Sequence, residues 1–131
     1  FGDAVQLLGY DLAGGASPGE ELTVTLYWRA YAPLDASYAV FVHLMDGTDE
    51  LVAQADGIPA DWLRPTTTWR EGEVIADRHT LTLPPELAEG TYRLYVGLYE
   101  PEGQRLPVAV RGASSLDRRL RLGFVRGKGS E

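Results

Sequence analysis

Hydrophobic and polar residues alternate along much of this chain, and a period of two is the pattern of half-buried β-strands. The alternation is clearest over residues 22–28, 38–44 and 92–98. These stretches predict three long strands at the centre of the fold. The residues predicted to face the core are Leu22, Val24, Leu26, Trp28, Tyr38, Val40, Val42, Leu44, Tyr92, Leu94, Val96 and Leu98.

Weaker alternation predicts the remaining strands, and turn-forming residues separate them at intervals of about ten residues. An Asp46-Gly47 step favours a tight hairpin between two of the strands. Helix signals are few, and only Pro85–Glu89 predicts a single helical turn, which Gly90 ends. The weaker strands are predicted at 4–10, 51–55, 73–83, 105–110 and 116–125.

The number and spacing of these strands predict an all-β fold of about 7–9 antiparallel strands. The L-x-x-G-x-Y sequence from Leu87 to Tyr92 is typical of a tyrosine corner, in which the tyrosine hydroxyl bonds back to the chain near a Greek-key crossing. It favours an immunoglobulin-like, Greek-key β-sandwich, with a jelly roll as the alternative. We expect one domain over residues 1–125, followed by a flexible tail over 126–131 whose composition is typical of a cloning remnant.

Composition narrows the classes of function. The 131 residues suit one domain, and the absence of cysteine excludes disulfides, thiol catalysis and thiolate metal sites. A net charge of −7 argues against nucleic acid as the main partner, and the arginines near the C-terminus predict a charged edge strand. Asparagine is absent and arginine outnumbers lysine, a bias typical of thermophiles and of GC-rich genomes.

Candidate catalytic and metal-binding residues are sparse. His79 and Asp77 are two residues apart and share a strand face, which suits a base and its orienting carboxylate. The G-x-S-x-G and H-E-x-x-H motifs are absent, so the pair is interpreted as polar residues on the solvent face. Asp46, Asp49 and Glu50 offer calcium ligands, but short turns collect aspartate for backbone reasons. We therefore predict no enzyme activity, no metal and no cofactor.

The most suggestive candidate site is the irregular stretch from residue 57 to 72, because long loops in compact domains are often functional. Trp62 and Trp69 lie in it, and an indole can stack on the apolar face of a sugar ring while charged groups bond the hydroxyls. A large ring that precedes a turn into a strand, as Trp69 does, commonly fills the end of the sandwich core. The predicted ligand-binding residues are Asp61, Trp62, Arg64, Trp69 and Arg70. Tyr27, Tyr95 and Tyr99, opposite the core faces, could form an exposed aromatic strip.

The order of motifs LLGYDL, PGEELTVTLYWRA, YAVFVHLMD, LVAQADG and LTLPPELAEGTYRLYVGLYEPEGQRL resembles a known domain family over residues 5–110. Its members look like the C-terminal β-sandwich appended to polytopic family-39-type glycosyltransferases and to related membrane proteins of Chloroflexus-like bacteria. The resemblance implies an accessory module on the extracytoplasmic face of a membrane. It supplies no catalytic or ligand residues.

Together these observations predict a non-catalytic, extracytoplasmic accessory module of a larger membrane protein. Its expected partners are a glycan or lipid-linked sugar and the parent membrane protein, and no nucleic acid. The alternative is a purely structural or protein-interaction β-sandwich that acts as a spacer. Exposure of the tryptophan rings is the feature expected to separate the two.

Overall fold

Two antiparallel β-sheets packed face to face account for most of the chain in a computed structural model. The residues that it describes are 1, 4–34, 36–59, 64–100, 102–107, 109–110, 113–114 and 118–127. The strands are β1 (Val5–Gly14), β2 (Glu21–Ala30), β3 (Ala39–Met45), β4 (Leu51–Gly57), β5 (Val74–Thr82), β6 (Gly90–Tyr99), β7 (Ala109–Val110), β8 (Ala113–Ser114) and β9 (Leu120–Gly127).

The chain passes between the two sheets after β2, after β4 and again after β5. The first sheet has the order β1-β2-β5 and the second β4-β3-β6-β9, while β7 and β8 form a short separate hairpin. All pairings within the two sheets are antiparallel. The predicted all-β sandwich is therefore confirmed. Each sheet has two edge strands, and the edge strands β4 and β5 lie beside each other at one side of the sandwich.

The three strands with the clearest alternation supply the centre of the core, as predicted. Trp28, Val42 and Val96 have no exposed surface, and each comes from a different one of these strands. Residues on the opposite face of β2 are half-buried or exposed, which is the alternation expected of an antiparallel sheet covered on one side. Burial of these side chains supplies most of the stabilising free energy.

Several boundaries differ from the sequence-based prediction. Residues 85–89 form a turn in which the Leu87 amide donates to the Pro84 carbonyl at 3.2 Å, so the predicted helical turn is wrong. β1 continues to Gly14 and β9 to Gly127. Of the predicted strand 105–110, Arg105 makes an isolated bridge to Tyr99, and β7 pairs elsewhere.

Helical structure in the described part of the chain is one 3-10 turn, Thr66–Thr68. No helix there is long and apolar enough to cross a membrane.

The predicted tyrosine corner is present. The Tyr92 hydroxyl donates to the carbonyl oxygen of Ala88 at 2.5 Å, four residues upstream. Its ring is buried, and Gly127 lies so close that a Cβ there would be 2.4 Å from Tyr92 Cε2. The contact fixes the start of β6 against the last strand.

The arginines in and just before the last strand are largely engaged in contacts at the surface. Arg119 contacts Asp49 at 3.2 Å and Arg126 contacts Glu89 at 3.1 Å. The Arg121 guanidinium lies 5.0 Å from the centre of the Phe124 ring. Because β9 is an edge strand, this agrees with the prediction of a charged edge.

The outer face of the four-stranded sheet holds a buried aromatic ring, Phe41. Phe41 points away from the core yet is only 2% exposed, because the Arg105 guanidinium stacks 4.5 Å above its ring. Gly97 lies opposite Phe41 on β6. A Cβ at that glycine would be 2.2 Å from Phe41 Cζ, so the ring occupies the place of the missing side chain.

We therefore expect Gly97→Ala to lower the free energy of unfolding by about 1–3 kcal/mol, as overpacking does elsewhere. Urea denaturation measures the loss. Phe41→Leu shortens the opposing side chain, so the double variant should lose less than the sum of the two single changes. Simple additivity of the two losses would contradict the contact.

Candidate functional site

A solvent-open cleft lies at the side of the sandwich where β4 and β5 meet. Its volume is about 190 Å³. Both walls are edge strands, so each has a row of backbone N–H and C=O groups that no strand of its own sheet pairs. The side chains and backbone that line the cleft belong to Ala55, Asp56, Gly57, Ile58, Arg78, His79 and Thr80.

A buried polar cluster lies behind this cleft and reaches it through His79. The carboxylate of Asp77 has no exposed surface, and His79 is 7% exposed. Asp77 Oδ2 lies 2.6 Å from His79 Nε2 and accepts a hydrogen bond from Trp28 Nε1 at 3.1 Å. Burying a carboxylate is costly unless hydrogen bonds compensate it, and here two ring nitrogens do so.

The position of this pair corrects the sequence-based interpretation. The interpretation of Asp77 and His79 as residues of the solvent face is wrong, because β5 turns Ile75, Asp77, His79 and Leu81 inward. The sequence does contain a signal for the inward position. Ile75 and Leu81 are strongly apolar and, with a period of two, lie on the same face of the strand as the pair. Residue type points the other way, since aspartate and histidine are usually at the surface.

The irregular loop over residues 57–72, predicted from the sequence as a candidate site, begins beside the cleft. Gly57 and Ile58 line the cleft and also start the stretch 57–72. Thr66, fully buried, anchors the later part of the loop, since its hydroxyl donates to the Ala36 carbonyl at 2.6 Å and accepts from the Tyr38 amide at 2.9 Å. The described later part of the loop is therefore fixed to the sandwich.

Arg64 and Trp69 are brought together within this loop. The indole Nε1 of Trp69 donates to the Arg64 carbonyl at 2.9 Å, and the ring is 3% exposed within the hydrophobic core. Arg64 Nη2 contacts Glu73 Oε1 at 2.7 Å. The hydrogen bond from Arg64 holds the pKa of the Glu73 carboxyl below its usual value, with a backbone hydrogen bond from Arg70 adding to the effect.

The structure gives the predicted binding residues different surroundings. Trp69 is a core residue, and its ring is too buried to stack on a sugar as the prediction of a binding platform requires. Arg64 is engaged in an ion pair, and Arg70 is exposed. Asp61 and Trp62 lie outside the described residues.

The tyrosines opposite the core do not form one strip. Tyr27 belongs to the three-stranded sheet, where its hydroxyl donates to Asp11 at 2.7 Å. Tyr95 and Tyr99 belong to the other sheet and are half-buried. The Arg119 guanidinium covers Tyr95, 3.8 Å from the ring centre. Tyr27 is thus separated from the other two rings by the whole thickness of the sandwich.

The acidic turn between β3 and β4 is explained by its backbone. Asp46 Oδ1 accepts hydrogen bonds from the Thr48 hydroxyl at 2.7 Å, the Thr48 amide at 2.8 Å and the Glu50 amide at 3.0 Å. These bonds lower the pKa of the Asp46 carboxyl, the Thr48 hydroxyl most. Asp49, with φ of 64°, supplies the left-handed residue of the turn. No group of three or more His, Asp or Glu in the described residues could hold a metal ion.

His43, on the outer face of the four-stranded sheet, has a pKa below the usual value for histidine. Burial lowers the pKa of its imidazole, and the nearby Arg105 and Arg119 lower it further, whereas Asp56, 3.8 Å away, raises it. The unfolded chain thus binds the proton more readily than the folded protein does. The stabilisation due to neutral His43 is complete above about pH 6.5 and is lost as the pH falls through the lowered folded value.

We accordingly expect the free energy of unfolding to decrease between pH 8 and pH 5, and His43→Gln to make that decrease smaller. Urea denaturation at several pH values gives the free energy of unfolding of both proteins. Subtracting one curve from the other removes the contributions of the titratable groups that the two proteins share. Parallel curves for the two proteins would contradict the pKa assigned to His43.

Comparison with known proteins supports the fold. No protein-family model matches the sequence, and no curated protein matches it. Among solved structures, the crystal structure of the C-terminal domain of wzt is similar, with a TM-score of 0.54 and 12% sequence identity. The match covers 100% of this chain and 84% of that one. At this identity the likeness concerns the β-sandwich architecture.

Proposed function

We propose that this domain is a non-catalytic accessory module that binds carbohydrate, displayed on the extracytoplasmic face of a membrane as part of a larger membrane protein. The observation that carries the binding role is the open cleft at the meeting of β4 and β5, lined in part by the hydrogen-bonded His79. A sugar needs many hydrogen-bonding groups on a fixed surface, and two adjacent sheet edges provide them.

Three further points support the accessory role. The similar solved structure is the C-terminal domain of another protein, so the architecture occurs as an appended domain. The strand order β1-β2-β5 against β4-β3-β6-β9 and the tyrosine corner are features of immunoglobulin-like sandwiches. The proposal of a non-catalytic role rests on the sequence, which lacks the nucleophile and metal motifs of hydrolases. Location and parent protein rest on the family resemblance.

The alternative function is a structural or protein-interaction spacer, and two observations favour it. Trp69 is part of the core, as expected of a spacer. Leu8 and Leu12 of β1 and Phe124 of β9 are 44%, 42% and 58% exposed, and exposed apolar groups suit a protein contact. Tyr10 links β1 to β9, since its hydroxyl donates to the Leu122 carbonyl at 3.0 Å.

A glycan-array screen distinguishes the two functions. We expect the domain to bind a defined set of glycans and Trp62→Ala, with unchanged folding, to bind them more weakly. Phe124→Ala is the matched control, because it removes an exposed ring from the edge strand β9. Absence of binding by the folded wild type would favour the spacer. Equal loss in both variants would refute a specific platform at Trp62.

A further inference from the structure

His79 is a buried polar group directed into the cleft. Its side chain is only 6% exposed, yet it is among the residues that line the cleft. Asp77 engages Nε2, whereas Nδ1 has no hydrogen-bond partner among the described residues. Among the described residues no fully buried side-chain nitrogen or oxygen lacks a partner, so Nδ1 keeps some exposed surface, and His79 lines the cleft. The ring is thus fixed at one nitrogen and open to a ligand at the other.

The two walls of the cleft differ in charge. On the β5 wall, Arg78 is exposed and makes no ion pair with any described residue, unlike Arg64, Arg119 and Arg126. On the β4 wall lies Asp56, whose side chain is 39% exposed and lies 3.8 Å from His43 Nε2. The cleft is therefore bordered by a cation on one wall and by a carboxylate on the other.

This polarity matches the chemistry of an acidic sugar. A hexuronic acid has a carboxylate at one end of its ring and hydroxyl donors around the rest. A guanidinium binds a carboxylate through two parallel hydrogen bonds, and an imidazole nitrogen or a carboxylate accepts from hydroxyl groups. The volume of about 190 Å³ is below the ~300–1,000 Å³ of pockets for drug-sized ligands, so the cleft suits one sugar ring.

We propose that the cleft binds a uronic acid residue of a glycan, with Arg78 contacting the carboxylate and His79 Nδ1 and Asp56 accepting from hydroxyl groups. Asp77 is a positioning residue, since it holds the His79 ring from below. The inference rests on the proposed carbohydrate-binding function and adds the class of sugar and the residues that select it.

Titration of the ¹⁵N-labelled domain with methyl glucuronide and methyl glucoside, followed by amide chemical shifts, tests the proposal. We expect the glucuronide to shift the amides of residues 56–58 and 78–80 and to bind at least about tenfold more tightly than the glucoside. Arg78→Gln should abolish this preference. Arg29→Gln, which removes an exposed arginine from the same sheet away from the cleft, should retain it.

The outcomes separate this inference from the function on which it rests. Equal binding of both sugars at the cleft would overturn the acidic selectivity and leave carbohydrate binding in place. Shifts absent from the cleft with both sugars would overturn the site, whereas the glycan array decides independently whether the domain binds sugars at all. A glucuronide preference that survives Arg78→Gln would overturn the role of that arginine.

Discussion

We expect Asp77→Leu to lower the free energy of unfolding by about 3–5 kcal/mol, the cost of removing one partner from a buried polar pair. The carboxylate has no exposed surface and lies 2.6 Å from His79 Nε2 and 3.1 Å from Trp28 Nε1. Without it, the ring nitrogens of His79 and Trp28 lose their acceptor in the interior. Urea denaturation followed by tryptophan fluorescence measures the change.

A second substitution should reverse part of this loss. In Asp77→Leu/His79→Leu both members of the pair become apolar, and such replacements are often neutral or stabilising in a well-packed interior. We therefore expect the double variant to be more stable than Asp77→Leu. Trp28 Nε1 still lacks its acceptor in the double variant, so recovery should be incomplete.

Asp11→Leu is the matched control for these variants. Asp11 also accepts a hydrogen bond from an aromatic residue, the Tyr27 hydroxyl at 2.7 Å, but on the exposed face of the same sheet. Its replacement should cost less than about 1 kcal/mol, as is usual at the surface. A comparable loss at Asp11 and Asp77 would show that burial does not determine the effect, and equal losses in the single and double variants would disprove the coupling.

The comparison also bears on why the pair exists. If apolar residues can replace Asp77 and His79 together at little cost, their presence is not explained by stability. A pair kept behind an open cleft that His79 lines is then more simply explained by a ligand that contacts His79. Buried ionisable groups in clefts are characteristic of functional sites for this reason.

The fold can be predicted from sequence where one face of a strand is uniformly apolar. Leu22, Val24, Leu26 and Trp28 share a face in sequence and in the core, so strand β2 is recognised together with its orientation. On β5 the same period places Asp77 and His79 inward, but two polar residues interrupt the apolar face. Because aspartate and histidine are usually exposed, the sequence predicts both at the surface, although their positions on the strand place them with the apolar residues that face the core.

The cleft itself could not be predicted, since it arises where two edge strands from different sheets meet. Asp56 and Arg78 are 22 positions apart in sequence and belong to different sheets. Their proximity depends on the order of strands, which alternation within each strand does not determine. The loop from residue 57 to 72 is recognised because it lacks alternation, and its first residues do line the cleft.

The role of Trp69 in the loop can be tested by substitution. The ring is 3% exposed and its indole nitrogen donates to the Arg64 carbonyl at 2.9 Å, so it serves the core and fixes the loop. We expect Trp69→Ala to lower the free energy of unfolding by about 3–5 kcal/mol, as truncation of large buried rings does. The sequence alone allows either an exposed platform or a core ring at this position.

Trp69→Phe separates packing from hydrogen bonding at this site. It retains an aromatic ring in the core but removes the indole N–H, so the loss should be smaller, about 1–2 kcal/mol, from the unpaired Arg64 carbonyl and the reduced ring size. Both losses are measured by urea denaturation, with glycan binding assayed only under conditions in which each variant is folded. A stability change below about 0.5 kcal/mol in Trp69→Ala, together with lost glycan binding, would return Trp69 to the role of an exposed sugar platform. Lost stability with glycan binding preserved in the folded variant would assign the tryptophan to the core and leave recognition to the cleft.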